Sequence, residues 1–490
     1  MSDIYDLIII GGGVNGAGVA RDAAGRGAKV LLLEKGDLAS GTSSKSTKLV
    51  HGGLRYLEYY EFSLVREALT ERETVWQIAP HIVWPMRFIL PVTHGMRPRW
   101  MLRAGLFLYD HIGGKGRLSK ARGVNLAKHP AGAPLEEDYK RGFEYSDGWV
   151  DDARLVVLNA LDAAERGADI RTRTEVTSAR REGDYWQVEA DGESFTGRAI
   201  VNAAGPGADD MARLAGEQPA YGIRRVRGSH IVVPKLFDHD HAYILQQPDT
   251  RICFAIPWEN DFTLIGTTDA DHAGSLDDVQ ISNDEVRYLC DAANRYFEHD
   301  VTPADVVHTY AGVRALVDDG SGRPEAATRG YKIALSDVSR GAPILGIYGG
   351  KITSYRHVAE DAVEQLSARL PMLKGESWTG KEPLPGGEFK YTAQEFLFDV
   401  LREDYPFLSE TDIVRIGRAY GTRAGDWLGE AKSWDDLGRV FGAGLSEAEV
   451  EYLRDHEWAQ TAEDVLWRRT KQGVHMSEAE QAALTEYMGG

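Results

Sequence analysis

Residues 5–34 read YDLIIIGGGVNGAGVARDAAGRGAKVLLLE, and the fold is decided inside this stretch. The run YDLIII is apolar and β-branched without alternation, the pattern of a strand buried on both faces of a parallel sheet. GGGVNGAG follows at once and sets Gly11, Gly13 and Gly16 in GxGxxG register. Gly11 allows the tight turn, Gly13 lets a pyrophosphate approach the backbone, and Gly16 lets helix and strand pack closely. A helix is expected over VARDAAGRG, its N-terminus offering unpaired N–H groups to phosphate. A second strand, KVLLLE, ends at Glu34. A carboxylate there accepts hydrogen bonds from a ribose diol and repels a 2′-phosphate, which points to FAD or NAD and away from NADP.

The next segment, GDLASGTSSKSTKLVHGG (36–53), separates those two cofactors. A nicotinamide enzyme would continue with closely spaced βα units. This segment is polar and rich in glycine and serine, suited to run along a long cofactor and meet its phosphates with hydroxyl and N–H groups. FAD held as a fixed group is the expectation. Two later segments agree. AIVNAAGPGADD (199–210) is a strand ending in small residues that turns at Gly205-Pro206, and ILGIYGGKITSYRHVAEDAV (344–363) is a strand, a glycine pair and a helix. That helix N-terminus would stabilise negative charge on the flavin pyrimidine ring as it is reduced. The candidate cofactor contacts are Gly11, Gly13, Gly16, Glu34, Ser44, Ser46, Lys48, Gly52, Val176, Gly205, Gly350 and Thr353.

Within an acidic chain of 490 residues and formal net charge -19, a compact basic patch occupies KSTKLVHGGLRYLE (45–58). The overall charge argues against a general nucleic-acid binder. His51, Arg55, Tyr56, His230, Arg314, Arg329 and Lys351 stand at turns or strand ends. Arginine suits planar or polyanionic groups through forked hydrogen bonds, so a small anionic substrate is expected, with phosphate the economical choice. Asp269, in WENDFTLIGTTDA, either orders the substrate loop or is a plain turn aspartate. The two cysteines, Cys253 and Cys290, form no CxxC and cannot make a zinc site alone, so no metal is expected, and a reducing compartment fits. No secretory signal is visible at the N-terminus, and no apolar run is long enough to span a membrane.

Alternating runs in TEVTSARREGDYWQVEADG, HIVVPK and RICFAIPW predict an antiparallel sheet in a second domain that covers the isoalloxazine. Pro and Gly cluster near KEPLPGGEFKYT (381–392), and beyond it short helices with Ser or Thr capping signals predict a small helical domain without a catalytic constellation. Arg468, Arg469 and Lys471 form a basic cluster there, read as surface or partner-facing. RPRWMLRAGLFLY (97–109) places apolar residues beside arginines, which suits either a monotopic anchor on an anionic membrane or a buried helix with its arginines at the rim.

Taken in order, GGGVNGAG, SSKSTKLVHGGLRYLE, GSHIVVP, TTDAD, AGVRAL and GGKITSYR resemble the aerobic FAD-dependent glycerol-3-phosphate dehydrogenases over essentially the whole chain. The resemblance implies an α/β plus α architecture: a glutathione-reductase-like, Rossmann-type FAD-binding domain, an antiparallel-sheet substrate domain and a helical C-terminal domain. The first two would interleave over 1–384, with FAD-binding parts about 1–90, 150–220 and 330–384 and substrate-domain parts about 91–149 and 221–329, followed by the helical domain at 385–490. It implies oxidation of sn-glycerol 3-phosphate to dihydroxyacetone phosphate by hydride transfer from C2 to flavin N5. Electrons would pass to membrane quinone from a peripheral position on the cytoplasmic face of the bacterial inner membrane, and a homodimer is among the expectations. Carried over, Arg55, Tyr56, Arg329 and Lys351 would bind substrate, while His51, Arg314 and His230 would serve catalysis, with His51 and His230 as rival bases. The alternatives are a glycerol-3-phosphate oxidase that makes hydrogen peroxide from oxygen, and a flavin-dependent amine or amino-acid oxidase on the same fold.

Overall fold

The structure is a computed structural model and describes residues 4–92, 97–114, 116–318, 330–336 and 341–489. Leu7–Ile10 is buried at every position and pairs in parallel with Val30–Leu33 on one side and Ile200–Asn202 on the other. These are central strands of a six-stranded sheet in the order Tyr331–Leu335, Ile344–Gly349, Ile200–Asn202, Leu7–Ile10, Val30–Leu33, Asp169–Arg171, antiparallel only at the Tyr331–Leu335 edge. Continuous apolar runs are what a sheet covered on both faces requires. Helices Val14–Gly25, Asp152–Glu165 and Tyr355–Ser367 cover one face and build the largest core with it.

The runs at 176–190 take a different place from the one their alternation suggests. Val176–Glu182, Tyr185–Ala190 and Glu193–Gly197 form a separate four-stranded sheet with Ile4–Tyr5, which pairs in parallel with the last of them. Their apolar face, with Ala179, Trp186, Val188 and Phe195, buries against Ile8 and Leu31 of the nucleotide sheet, so alternation correctly marks strands but cannot say which face receives them.

The substrate sheet has ten strands, eight of them on a path in the order Ala270–Asp271, Ile223–Pro234, Phe262–Gly266, Ile252–Trp258, Ala242–Gln246, Val83–Pro91, Arg141–Val150 and Leu49–Val50, with His308–Val317 and Arg122–Asn125 pairing beside it. All pairings are antiparallel except Ala242–Gln246 with Val83–Pro91. Leu49–Val50 and Val83–Pro91, which fall in the segment expected to serve the nucleotide domain, thus lie in this sheet; Leu49 and Phe88 bury with Tyr145, Trp149, Ile244 and Ile256 in one aromatic-rich core.

Residues 97–109 lie largely on the helix Arg99–Ile112, which buries Leu102, Leu106 and Tyr109 and leaves Trp100, Met101, Phe107 and Leu108 exposed. Among the described residues, no helix is long and apolar enough to cross a membrane. The C-terminal part is helical with its own core, and Ser409, Ser433 and Ser477 close capping boxes at three of its helical turns. The basic cluster at 468–471 is not a surface feature: Arg468, Arg469 and Lys471 are all buried, each held by carboxylates.

Candidate functional site

One large cavity of about 1960 Å³ runs along the nucleotide sheet, under the substrate sheet and against the C-terminal helices. A small-molecule pocket is commonly about 300–1,000 Å³, so this one has room for a dinucleotide and a substrate together.

At one end the glycine fingerprint does what its spacing requires. Gly11 has φ +113°, and a Cβ there would meet the Ala203 carbonyl oxygen at 2.6 Å; a Cβ on Gly16 would collide with the Gly11 carbonyl oxygen. Glu34 accepts hydrogen bonds from the Gly12 and Gly36 N–H groups at 2.6 and 2.8 Å. Burial raises its carboxyl pKa, opposed by these two donors. Val14 N–H donates to Ser43 Oγ at 3.0 Å, folding the serine-rich segment over the helix N-terminus. Asn15 Oδ1, Ser44 Oγ and Arg173 Nη1 are buried without hydrogen-bond partners, and Asn15 and Arg173 line the cavity. Orphaned polar atoms around a glycine cradle, with a half-buried carboxylate at the ribose position, fit an FAD molecule.

Gly11, Gly13, Glu34, Ser46, Val176, Gly205, Gly350 and Thr353 line this cavity. Gly16 supports it from behind. Lys48 and Gly52 stand differently from the sequence reading. Lys48 is 4% exposed, does not line the cavity, and donates to Asp152 Oδ1 at 2.7 Å and to the Ser44 carbonyl. It is the buried counter-ion of an aspartate that also accepts from Ser46 Oγ at 2.8 Å. Gly52 packs against Leu69 and donates its N–H to Tyr109 Oη at 2.8 Å, leaving Gly53 to face the cavity. Of the two lysines in the patch, Lys45 is the one that lines the cavity. Burial, with Arg468 and Lys48 nearby, lowers its pKa. Spacing could not choose between Lys45 and Lys48, because only the Asp152 helix, some hundred residues on, decides which one is neutralised.

At the other end the cavity gathers His51, Arg55, Tyr56, Arg314 and Lys351 from three distant segments. Lys351 stands two residues beyond the end of Ile344–Gly349 of the six-stranded sheet, and its ammonium lies 3.7 Å from the Tyr56 ring centroid. The His51 N–H donates to Thr353 Oγ1 at 3.3 Å, tying the basic patch to the same turn, and the His51 ring meets Phe254 edge-on. Arg55 has a buried Nε without a hydrogen-bond partner. Arg314 donates to Thr267 Oγ1 at 2.7 Å and the Thr268 carbonyl at 3.3 Å, and pairs with Asp269. Asp269 therefore orders a cation rather than sitting in a plain turn.

His230 is 1% exposed and does not line the cavity; its Nε2 shares a hydrogen bond with Thr47 Oγ1 at 2.9 Å, and its ring stacks on Tyr310. Burial, then Arg314 and Lys48, hold its pKa well below the usual histidine value, so it stays neutral behind Thr47. Arg329 lies outside the described residues. The structure adds Thr47 and Gln246, which line the cavity and which sequence spacing gave no reason to select. Gln246 is 2% exposed, accepts from Arg97 Nη1 at 3.1 Å, and has a buried Nε2 without a hydrogen-bond partner. Such an arrangement can hold an anionic group with its cations while an imidazole takes a proton beside a redox cofactor.

Residues 6–356 match the family model described as FAD dependent oxidoreductase, and residues 377–488 match the C-terminal domain of alpha-glycerophosphate oxidase. Among curated relatives, a D-erythritol 1-phosphate dehydrogenase of Brucella abortus is 51% identical, covering 98% of this chain and 97% of that one. An aerobic glycerol-3-phosphate dehydrogenase of Escherichia coli is 47% identical over 99% of this chain and 97% of its own. The crystal structure of a glycerol-3-phosphate dehydrogenase from Bacillus halodurans complexed with FAD superposes with TM-score 0.76 at 26% identity, covering 99% of this chain and 94% of that one.

Proposed function

Since the chain belongs to the FAD-dependent oxidoreductase family, in the group of the aerobic glycerol-3-phosphate dehydrogenases, we propose that it oxidises the secondary alcohol of sn-glycerol 3-phosphate to dihydroxyacetone phosphate. The observation that carries this reading is the gathering of His51, Arg55, Tyr56, Arg314 and Lys351 in the same cavity as the glycine fingerprint. FAD supplies the acceptor for the two electrons and the C2 hydrogen, taken as hydride at N5. The chain's own residues do the rest. Arg55 and Lys351 hold the phosphate by charge-assisted hydrogen bonds. His51 takes the proton from the C2 hydroxyl, so that the hydride leaves an alkoxide and a ketone remains. Arg314, fixed by Asp269 and Thr267, offsets the alkoxide charge as it develops. His230 and Thr47 set the wall behind this group without contributing charge.

Reoxidation by a membrane quinone belongs to the same proposal. The exposed Trp100, Met101, Phe107 and Leu108 beside exposed Arg99 and Arg103 suit a helix lying in an anionic interface, on the cytoplasmic face of the inner membrane. Anaerobic bleaching of bound flavin by glycerol 3-phosphate, with reoxidation by a quinone analogue, tests the reaction; bleaching by amino acids but not by the phosphate ester would refute it. Sedimentation with anionic vesicles tests the membrane contact, and a protein that stays in the supernatant with them refutes that part.

A second reading is favoured by the 51%-identical relative and by Gln246, whose amide nitrogen lacks a partner in the cavity wall. A four-carbon polyol phosphate has one more hydroxyl than glycerol 3-phosphate, and Gln246 is placed to serve a longer chain. The kcat/KM ratio for D-erythritol 1-phosphate against glycerol 3-phosphate decides between them.

A further inference from the structure

The buried basic cluster at the C-terminus has a target, and the target is the cofactor end of the cavity. Asp37, three residues beyond the ribose carboxylate Glu34, has a side chain only 1% exposed. Arg469 grips both of its oxygens at 2.7 and 2.8 Å, and Arg468 adds a third bond at 2.6 Å. Both arginines come from the π-helical turn Asp464–Arg469 of the C-terminal part. That turn is itself fastened. Asp464, 0% exposed at its side chain, accepts from the Gln460 and Thr461 N–H groups at 2.8 and 2.9 Å and pairs with Arg468. Arg469 also donates to the Glu457 carbonyl at 2.6 Å, while Glu457 pairs with Arg154 of the nucleotide domain.

Asp464 has one more partner. Arg173 donates from Nη2 to its Oδ2 at 2.6 Å. Arg173 stands on the loop that backs Glu34: its N–H donates to the Gly36 carbonyl at 2.7 Å, and the Thr174 N–H donates to the Glu34 carbonyl at 2.8 Å. Its other terminal nitrogen, Nη1, is buried with no hydrogen-bond partner in a side chain that lines the cavity. One guanidinium is thus held from the C-terminal side while its side chain lines the cofactor end of the cavity. Thr461, Glu463, Asp464 and Arg468 line the same cavity. Carboxylates and guanidiniums buried as deeply as Asp37 and Arg469 are stable only when each finds its partner, so withdrawal of the C-terminal part would leave Asp37 uncompensated and take from the half-buried Arg173 its carboxylate.

From this we infer that the segment 457–471 of the C-terminal domain is a working part of the FAD site. Asp464 positions Arg173, and Arg468 with Arg469 positions Asp37, so that docking of the C-terminal domain and retention of FAD are coupled equilibria. Coupling of this kind is reciprocal: whatever FAD gains from the docked segment, the segment gains from FAD.

The test uses the full-length protein with FAD and after its removal. Hydrogen exchange of the amides in 457–471 is expected to quicken about tenfold or more without FAD, while helix Asn283–Asn294, packed on the substrate sheet, keeps its protection. Equal protection of 457–471 in both forms overturns the inference. Asp464→Asn and Arg173→Ala, made singly and together, supply a second reading through the FAD dissociation constant, measured by quenching of flavin fluorescence on the apoprotein. Each is expected to weaken FAD by about tenfold, with the double variant close to either single one, because both remove the same contact. Fully additive losses, or undiminished affinity in folded variants, overturn it as well.

Discussion

At the nucleotide end of the cavity charges are matched across the chain: Asp37 meets Arg468 and Arg469, and Arg173 meets Asp464. At the reactive end, Arg55 carries a buried donor with no hydrogen-bond partner, Lys351 rests on an aromatic face, and Arg314 is tied to Asp269. The first pattern suits a resident group that is bound once, since compensated buried charges are rigid and hard to open. The second suits a ligand that arrives and leaves with each turnover, since several cations gathered around one cavity raise a positive potential that captures an anion. The pair Arg314–Asp269 is informative in another way: in the proposed mechanism Arg314 must stand still while charge develops, and Asp269 fixes it in advance.

The harshest way to break this division is at Gly16. An alanine Cβ would strike the Gly11 carbonyl oxygen, so Gly16→Ala is expected to purify without flavin absorbance; a yellow protein with full FAD content would show that the fingerprint does not carry the cofactor end. Next comes Arg314→Ala. Removing one preorganised donor from a reacting centre typically costs about 10²–10³-fold in kcat, and flavin content should survive. Single-turnover bleaching measures the first and absorbance the second; loss of both together would mean that the two ends are not separable.

Lys351→Met keeps the packing on Tyr56 and removes the charge. A rise in KM of about 10–100-fold is expected, the worth of a charge-assisted hydrogen bond, with FAD affinity unchanged. Unaltered KM for the phosphate ester would move the anion site elsewhere. The smallest effect concerns pH. His308 stacks on Trp467 of the C-terminal domain at 3.9 Å, and its pKa is pushed down to about 4, by burial first and then by Lys45 and Lys48. The folded state therefore favours the neutral ring. Its contribution to stability is whole above the ordinary histidine value of 6.5 and is lost as pH falls toward 4. Thermal unfolding followed between pH 7 and pH 4 should show a shallower acid decline in His308→Phe than in the parent; parallel curves would remove His308 from the docking contact.

The legible parts of the sequence are those in which a few neighbouring residues must satisfy one physical demand. Gly11 and Gly16 are fixed by close backbone contacts within their own turn, and Glu34 by its place at the end of the next strand. Ser446 and Ser477 announce helices because a capping signal needs only four consecutive residues. The misplaced features share the opposite property. Lys48 and Lys45 are both cationic, and only Asp152 decides which is buried as a counter-ion and which faces the cavity. The strands at 176–190 alternate correctly, yet the parallel pairing with Ile4–Tyr5 assigns them to a sheet of their own. The cluster Arg468, Arg469 and Lys471 has the composition of a solvated surface, and its burial depends on Asp37 and Asp151, residues hundreds of positions away.

The sequence by itself determined the dinucleotide unit and the helical C-terminal part. These follow from short-range geometry and from residue chemistry, both written in local order. Only the tertiary structure decided which charges are neutralised, which histidine reaches the cavity, and that the last part of the chain closes on the cofactor end. The reason is that a buried charge is stable or ruinous according to its partner, and the partner is chosen by the fold.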